Sequence, residues 1–164
     1  MSAVPGLRSA NEAYAAGFTK GDLPMPPRRR LAVVTCMDAR IDPAKALGLD
    51  EGDAHVIRNA GGVVSDDALR SLVISHWLQG TQEAVVIGHT DCGMVTFTTD
   101  RLRARLADEA GADASGIDFL TFPDVSASVA ESVRRVRESE LLPDSFAVHG
   151  FVYDVHTGAL REVS

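Results

Sequence analysis

Three short runs limit what this chain can fold into more than any other feature: LAVVTC (Leu31–Cys36), AHVIRN (Ala54–Asn59) and EAVVIGH (Glu83–His89). The first is short, continuous and β-branched, the pattern of a strand buried on both faces. The other two follow it as strands. Between the second and third lies a helix. Ser65 can cap it, Asp66 and Asp67 sit in its positive first turn, and Leu69, Leu72, Val73 and Trp77 make one apolar stripe. Gly80 ends it. Strand, helix, strand in that order predicts an α/β fold with a parallel sheet and right-handed crossovers.

The remaining segments arrange themselves around that unit. Residues 1–30 read as a peripheral arm, with a short helix over 9–18 capped by Ser9. Gly21, Pro24, Pro26 and Pro27 then enforce an extended path into Arg28, Arg29 and Arg30, which read as a solvated lead-in to the first strand. After Cys92 a helix or two runs to about Ala110, and 111–116 is a loop of small residues. Val125, Val129, Val133 and Val136 mark a further helix, closed by Pro143. Residues 147–154 and 159–163 alternate around Thr157-Gly158, so the chain finishes as a β-hairpin.

With 164 residues, 45% of them apolar, the chain fits one domain with a core large enough to need no disulfide. A net charge of −7 argues against partners such as duplex DNA or an anionic membrane. No apolar run approaches the length of a membrane span, and MSAVPGLRSANEAY lacks the pattern of a signal peptide. The expected location is therefore the cytoplasm, where thiols stay reduced. The two cysteines, Cys36 and Cys92, need a purpose other than a disulfide there.

Cys36 ends the first strand and His89 ends the third, with Cys92 three residues on, as His-x-x-Cys. Ligands of open α/β sheets bind beyond the carboxyl ends of the strands. If strands one and three are neighbours, two sulfurs and an imidazole converge. That donor set suits zinc, and three protein ligands leave the fourth position open, as catalytic zinc sites do. A turn from Cys92 into a helix through Gly93 would help to keep Cys92 a thiolate. A redox pair of Cys36 and Cys92 explains the thiols but not His89. Asp38 is near enough to reach the fourth position, and Arg40 can hold its carboxylate bidentately. A bland surface ion pair is the competing reading of those two residues.

The motifs CMDAR (36–40), HVIRNAGG (55–62) and HTDCG (89–93), in that order, resemble the β-class carbonic anhydrase family. The resemblance is sharp from about residue 31 to 95 and rests on element order elsewhere. It implies an enzyme, a zinc lyase (carbonate dehydratase) that reversibly hydrates carbon dioxide to bicarbonate and a proton. It implies one Zn2+ per chain on Cys36, His89 and Cys92, and a catalytic Asp38–Arg40 dyad. Asp38 either pairs with Arg40 or takes the fourth zinc position in a closed state, never both. Gly61 and Gly62 let backbone approach closely and would shape the substrate slot.

The implied fold is a single α/β domain, residues 31–164, with a mainly parallel sheet of order 2-1-3-4 flanked by helices and an added edge strand. The implied assembly is a homodimer, or a dimer of dimers, embraced by the arm at 1–30. The same metal site also serves hydrolases of carbonyl sulfide or carbon disulfide, and a zinc module without catalysis is a third reading. The chain departs from the family in two places. Gln79 and Gln82 are its only glutamines, so a substrate-binding glutamine near the first strand is missing or replaced. The lone Trp77 lies in a core-like helix, which argues against a regulatory bicarbonate pocket. His55, His76, His149 and His156 are candidate proton shuttles that read first as structural or exposed.

Overall fold

The computed structural model describes residues 2–163. Strands β1 (Leu31–Cys36), β2 (Ala54–Asn59), β3 (Glu83–His89), β4 (Ala147–Tyr153) and β5 (Leu160–Glu162) form one sheet in the order β2-β1-β3-β4-β5. The first four are parallel and β5 closes one edge antiparallel to β4, as the motif order implied. The helices are α1 (Val4–Ala16), α2 (Pro43–Leu47), α3 (Asp66–Gln79), α4 (Thr99–Ala110) and α5 (Val125–Arg137). Short 3-10 turns at Ala60–Gly62 and Gly93–Val95 follow β2 and β3. Among the described residues, no helix is long and apolar enough to cross a membrane.

The interior position of β1 fits its composition. Ala32, Val33, Val34 and Thr35 are buried, so both faces of the strand are covered. Even the polar Thr35 is satisfied, its Oγ1 donating to the Ile87 carbonyl of β3 at 3.0 Å. On one face Ala32, Val34, Ala84, Val86, Val148 and Val152 meet Ala68 and Leu72 of α3 and Val129, Val133 and Val136 of α5. Burying a Leu or Val side chain in such a layer contributes roughly 1.5–3 kcal/mol. Gly88 lets α5 lie close to β3. A Cβ there would stand 2.7 Å from both Val125 Cγ1 and Val129 Cγ2.

Capping sets the ends of α3. The Ser65 side chain accepts from the Ala68 N–H, and Gly80 adopts the left-handed conformation that stops the helix. Its buried stripe is Ala68, Leu72 and Ser75, and Trp77 does not belong to it. Trp77 is 63% exposed, and its indole N–H donates to the Leu141 carbonyl at 2.8 Å. Five residues beyond Leu72, it is rotated about 140° from the core-facing direction.

Two expectations for the first thirty residues also change. The helix starts earlier than Ser9, because Pro5 is preorganised for a first turn and needs no side-chain cap. None of its residues is buried, and the Tyr14 hydroxyl ties its end to Glu51 at 2.6 Å. Arg28 and Arg29 are more than a solvated lead-in. Both pair with Asp53, whose side chain is fully buried beneath them. A carboxylate out of water requires such partners, and the Asp50 N–H donates to it as well.

Candidate metal centre

The sheet order brings the chemistry together at the carboxyl ends of β1 and β3. Thr35 lies opposite Ile87, so Cys36 emerges beside the last turn of β3 that carries His89. Cys92 returns from the following turn. The three candidate ligand atoms of Cys36, His89 and Cys92 lie within 4.8 Å of one another, and all three residues are buried. The cysteines are free thiols and the His89 ring is fully buried; the two cysteines pack with Ile41 and Met94 and are bordered by Phe97, Phe122 and Tyr153.

The His89 tautomer follows from its contacts. Nδ1 lies 2.8 Å from the Thr90 carbonyl, which can only accept, so Nδ1 carries the proton. Nε2 is then the bare lone pair of a neutral ring. It is buried and has no hydrogen-bond partner. A buried polar atom left unmatched is destabilising. Aimed at two sulfurs, it is also the missing donor of a three-ligand set. Two thiols with one imidazole suit zinc, so the residues present fit the metal that the motifs implied.

The electrostatics of the metal-free group pull in different directions. Burial pushes the Cys36 thiol up, but His89 and the N–H groups of Asp38 and Gly61 outweigh it and bring it to about 7. Burial pushes the His89 imidazolium down, yet Cys36 and the Thr90 carbonyl carry the net shift upward. Cys92 moves up, through burial first and then the neighbouring Cys36, against the opposing Met94 N–H. The expectation that a helix would keep Cys92 ionised is therefore not met. Gly93–Val95 is a single 3-10 turn, too short to sum a dipole. A cation at this point would stabilise both thiolates.

Asp38 and Arg40 sit at the rim. The Arg40 Nε and Nη2 donate to Asp38 Oδ1 at 3.0 Å and Oδ2 at 2.8 Å, and the Arg40 N–H adds a third bond at 2.9 Å. These contacts hold the Asp38 carboxyl well below the usual carboxylate range. Its Oδ2 stands 3.8 Å from His89 Nε2. Arg40 is itself anchored, Nη2 donating to the Asp91 carbonyl at 3.0 Å.

An apolar cleft of about 440 Å³ opens on this group, lined by Cys36, Asp38, Gly61, Cys92, Met94, Phe97, Leu102 and Phe119 among others. Gly61 lines it, but Gly62 does not. Gly62 lies with φ +64 against β1, where a Cβ would stand 2.7 Å from the Cys36 nitrogen and 2.9 Å from the Thr35 carbonyl carbon. Its lack of a side chain lets the turn lie on the strand that carries Cys36.

Several supporting residues carried no role in the sequence reading. Arg58 donates to the carbonyls of Cys36 at 3.0 Å and Asp38 at 2.8 Å, fixing the exit of β1. The Asn59 amide brackets Val63, accepting from its N–H and donating to its carbonyl, and so closes the turn that holds Gly61. The RNAGG signal contained both. Phe97 and Phe119 had no such signal, because spacing does not tell which loop folds over which strand. Of the spare histidines, His55 is held by Ser75, His76 by the Thr81 carbonyl and His149 lies near Glu83. His156 lies beside the ligand turn, at Asp91.

The family model described as carbonic anhydrase matches residues 31–160. The chain is 48% identical over 164 residues to the β-carbonic anhydrase 1 of Mycobacterium tuberculosis, covering 100% of this chain and 99% of that protein. A carbon disulfide hydrolase of Acidithiobacillus thiooxidans is 35% identical over 181 residues, covering 98% of this chain and 90% of that protein. Among solved structures, the carbonic anhydrase of Streptococcus mutans superposes with a TM-score of 0.95 at 46% identity, covering 100% of this chain and 99% of that one. With this fold, this donor set and these likenesses along its whole length, the chain belongs to the β-carbonic anhydrase family.

Proposed function

We propose that the protein reversibly hydrates carbon dioxide to bicarbonate and a proton, with one zinc per chain held by Cys36, His89 and Cys92. The observation that carries this reading is the convergence of two buried sulfurs on an unmatched imidazole nitrogen. Bound there, zinc would lower the pKa of a water from about 15.7 to near 7, the magnitude established for zinc in carbonic anhydrase. Asp38, ionised and rigid on Arg40, accepts a hydrogen bond at the rim and orients the attacking group. Arg40 keeps that carboxylate turned toward itself. Released from Arg40, Asp38 would be free to act as a further ligand and so close the site.

The apolar wall of Met94, Phe97, Leu102 and Phe119 suits a small, weakly polar linear substrate. Gly61 lines the cleft and, with no side chain, leaves its floor open. The apolar cleft and the likeness to carbon disulfide hydrolases support a second reading, hydrolysis of carbonyl sulfide or carbon disulfide at the same centre. Stopped-flow carbon dioxide hydration, run beside sulfide release from both sulfur substrates, separates the two. Fast hydration with negligible sulfide release is expected. Sulfide release without hydration would replace the first reading by the second, and zinc-free protein with full hydration activity would sink both.

Val4, Leu7, Tyr14 and Phe18 are exposed, and β2, at the sheet edge, also exposes Val56. We infer a homodimer in which residues 1–30 embrace a second copy, with pairs of dimers as the larger form. Light scattering of the whole chain should give twice the chain mass or four times it, and deletion of 1–30 should dissociate or aggregate it. An active monodisperse monomer would refute the assembly. The site needs both thiols reduced, so the cytoplasm is the proposed location.

A further inference from the structure

The turn that carries two of the three ligand residues has two tasks. It must present His89 and Cys92 to one point, and it must hand the Asp91 carbonyl to Arg40. It does so with Asp91 at φ +54, a left-handed conformation that Asp tolerates better than most side chains but does not favour. Something outside the turn must hold it there.

That support comes from one segment, the connection between β4 and β5. The Thr90 N–H donates to the Tyr153 carbonyl at 2.9 Å, extending the sheet by one bond. The Val155 N–H donates to Thr90 Oγ1 at 3.1 Å. Last, His156 Nε2 lies 2.7 Å from Asp91 Oδ2. An ionised carboxylate only accepts, so the ring nitrogen donates. The imidazole comes from an ordered base. The Asp154 carboxylate accepts from the N–H groups of His156 at 2.8 Å and Thr157 at 3.1 Å, and the Asp154 carbonyl from that of Gly158 at 2.8 Å.

We propose that His156 is a positioning residue for the metal centre, clamping the ligand turn through Asp91. The clamp also sorts two carboxylates. Arg40 touches the carbonyl of Asp91 and the carboxylate of Asp38. With His156 on the Asp91 carboxylate, that group is kept from competing for the guanidinium. Without His156, Asp91 is free to turn toward Arg40, loosening both the dyad and the turn that ends in Cys92. As an exposed pair, His156–Asp91 adds little to global stability. Its effect lies in the ligand geometry, as with other groups that orient metal ligands from outside.

This inference rests on the zinc reading above, and the experiment separates the two. The full chain is loaded with zinc and mixed with an excess of a chromophoric chelator, and release is timed. His156→Ala should release zinc about ten-fold faster, the low end of the range for outer partners of a metal site. His156→Gln, which keeps an N–H donor, should return to near the wild-type rate. His149→Ala removes another histidine near a carboxylate, Glu83, and serves as the control that should not change. With cobalt(II) in place of zinc, the absorption bands should shift in His156→Ala alone. Equal release by wild type and His156→Ala, or the same acceleration in His149→Ala, overturns the clamp. If wild type takes up no metal, the zinc reading falls by itself. Amide hydrogen exchange at residues 90–92 of the metal-free chain then decides: faster exchange in His156→Ala upholds the clamp, and unchanged exchange overturns it.

Discussion

Two buried clusters in this protein are built on opposite terms. Beneath α3 and α5, Val34, Leu72, Val86, Val129 and Val133 meet only other apolar groups. At the strand ends, Cys36, His89 and Cys92 are as deeply buried, yet His89 Nε2 has no partner. The first cluster lowers the free energy of the fold. The second raises it, because an unmatched donor set is held out of water where it would otherwise be solvated. The difference teaches where stability is stored and where it is given up for a binding site.

Substitutions should pull these two regions apart. The largest effect is expected at His89. His89→Ala should lose bound zinc and at least about 10³-fold in hydration rate, since several kcal/mol of charge stabilisation leave with the metal. Its metal-free fold should lose less stability than Leu72→Ala does, because the unmatched nitrogen leaves together with the buried ring and its bond to the Thr90 carbonyl. Wild-type zinc content in this variant, by elemental analysis, would remove His89 from the ligand set.

Leu72→Ala tests the other region. Truncation of a fully buried leucine should cost about 2–5 kcal/mol of stability, read by denaturant titration, while zinc per folded chain stays unchanged. A parallel loss of zinc would show that the two clusters are not separable.

Arg40→Ala falls between them. Zinc should remain and unfolding should shift by about 0–1 kcal/mol, as for an exposed pair. The hydration rate should drop about 10–100-fold as Asp38 loses its orientation. Wild-type rates would reduce the dyad to a bland ion pair.

The smallest effect concerns a polar group buried with its partners supplied. Hydrogen bonding from the Asp50 N–H and the guanidinium groups of Arg28 and Arg29 keep the Asp53 carboxyl below its ordinary range. A carboxyl whose pKa is lowered by folding adds stability above its unfolded value of about 3.9, and that stability fades as pH falls through the folded value. Asp53→Asn should therefore melt lower than wild type at pH 7, and the gap should narrow below about pH 4. A gap independent of pH would mean that the charge of Asp53 contributes nothing.

The outcome at each residue shows what a sequence can disclose. The convergence of Cys36, His89 and Cys92 was legible because strand ends are marked by a change in residue type and donor side chains by their chemistry. Ser65 and Gly80 were legible because caps are local. Trp77 was misplaced because an apolar side chain on a helix does not state which edge of the stripe it occupies. Arg28 and Arg29 were misread because their partner, Asp53, is remote in sequence and meets them only once β2 lies beside β1. For the same reason neither Phe119 over the cleft nor His156 at Asp91 could be seen before the loops were folded.

The position of β1 between β2 and β3 also has a consequence for biosynthesis. Cys36 leaves the ribosome 53 residues before His89, and β2 and α3 are made in the interval. At about 5–20 residues per second, the first thiol waits roughly 3–10 s for its partners. During that time it is an unprotected nucleophile in a chain with no site to protect it. On the zinc reading proposed above, metal loading would follow the crossover, and Cys36 would stay open to oxidants from the first strand until then.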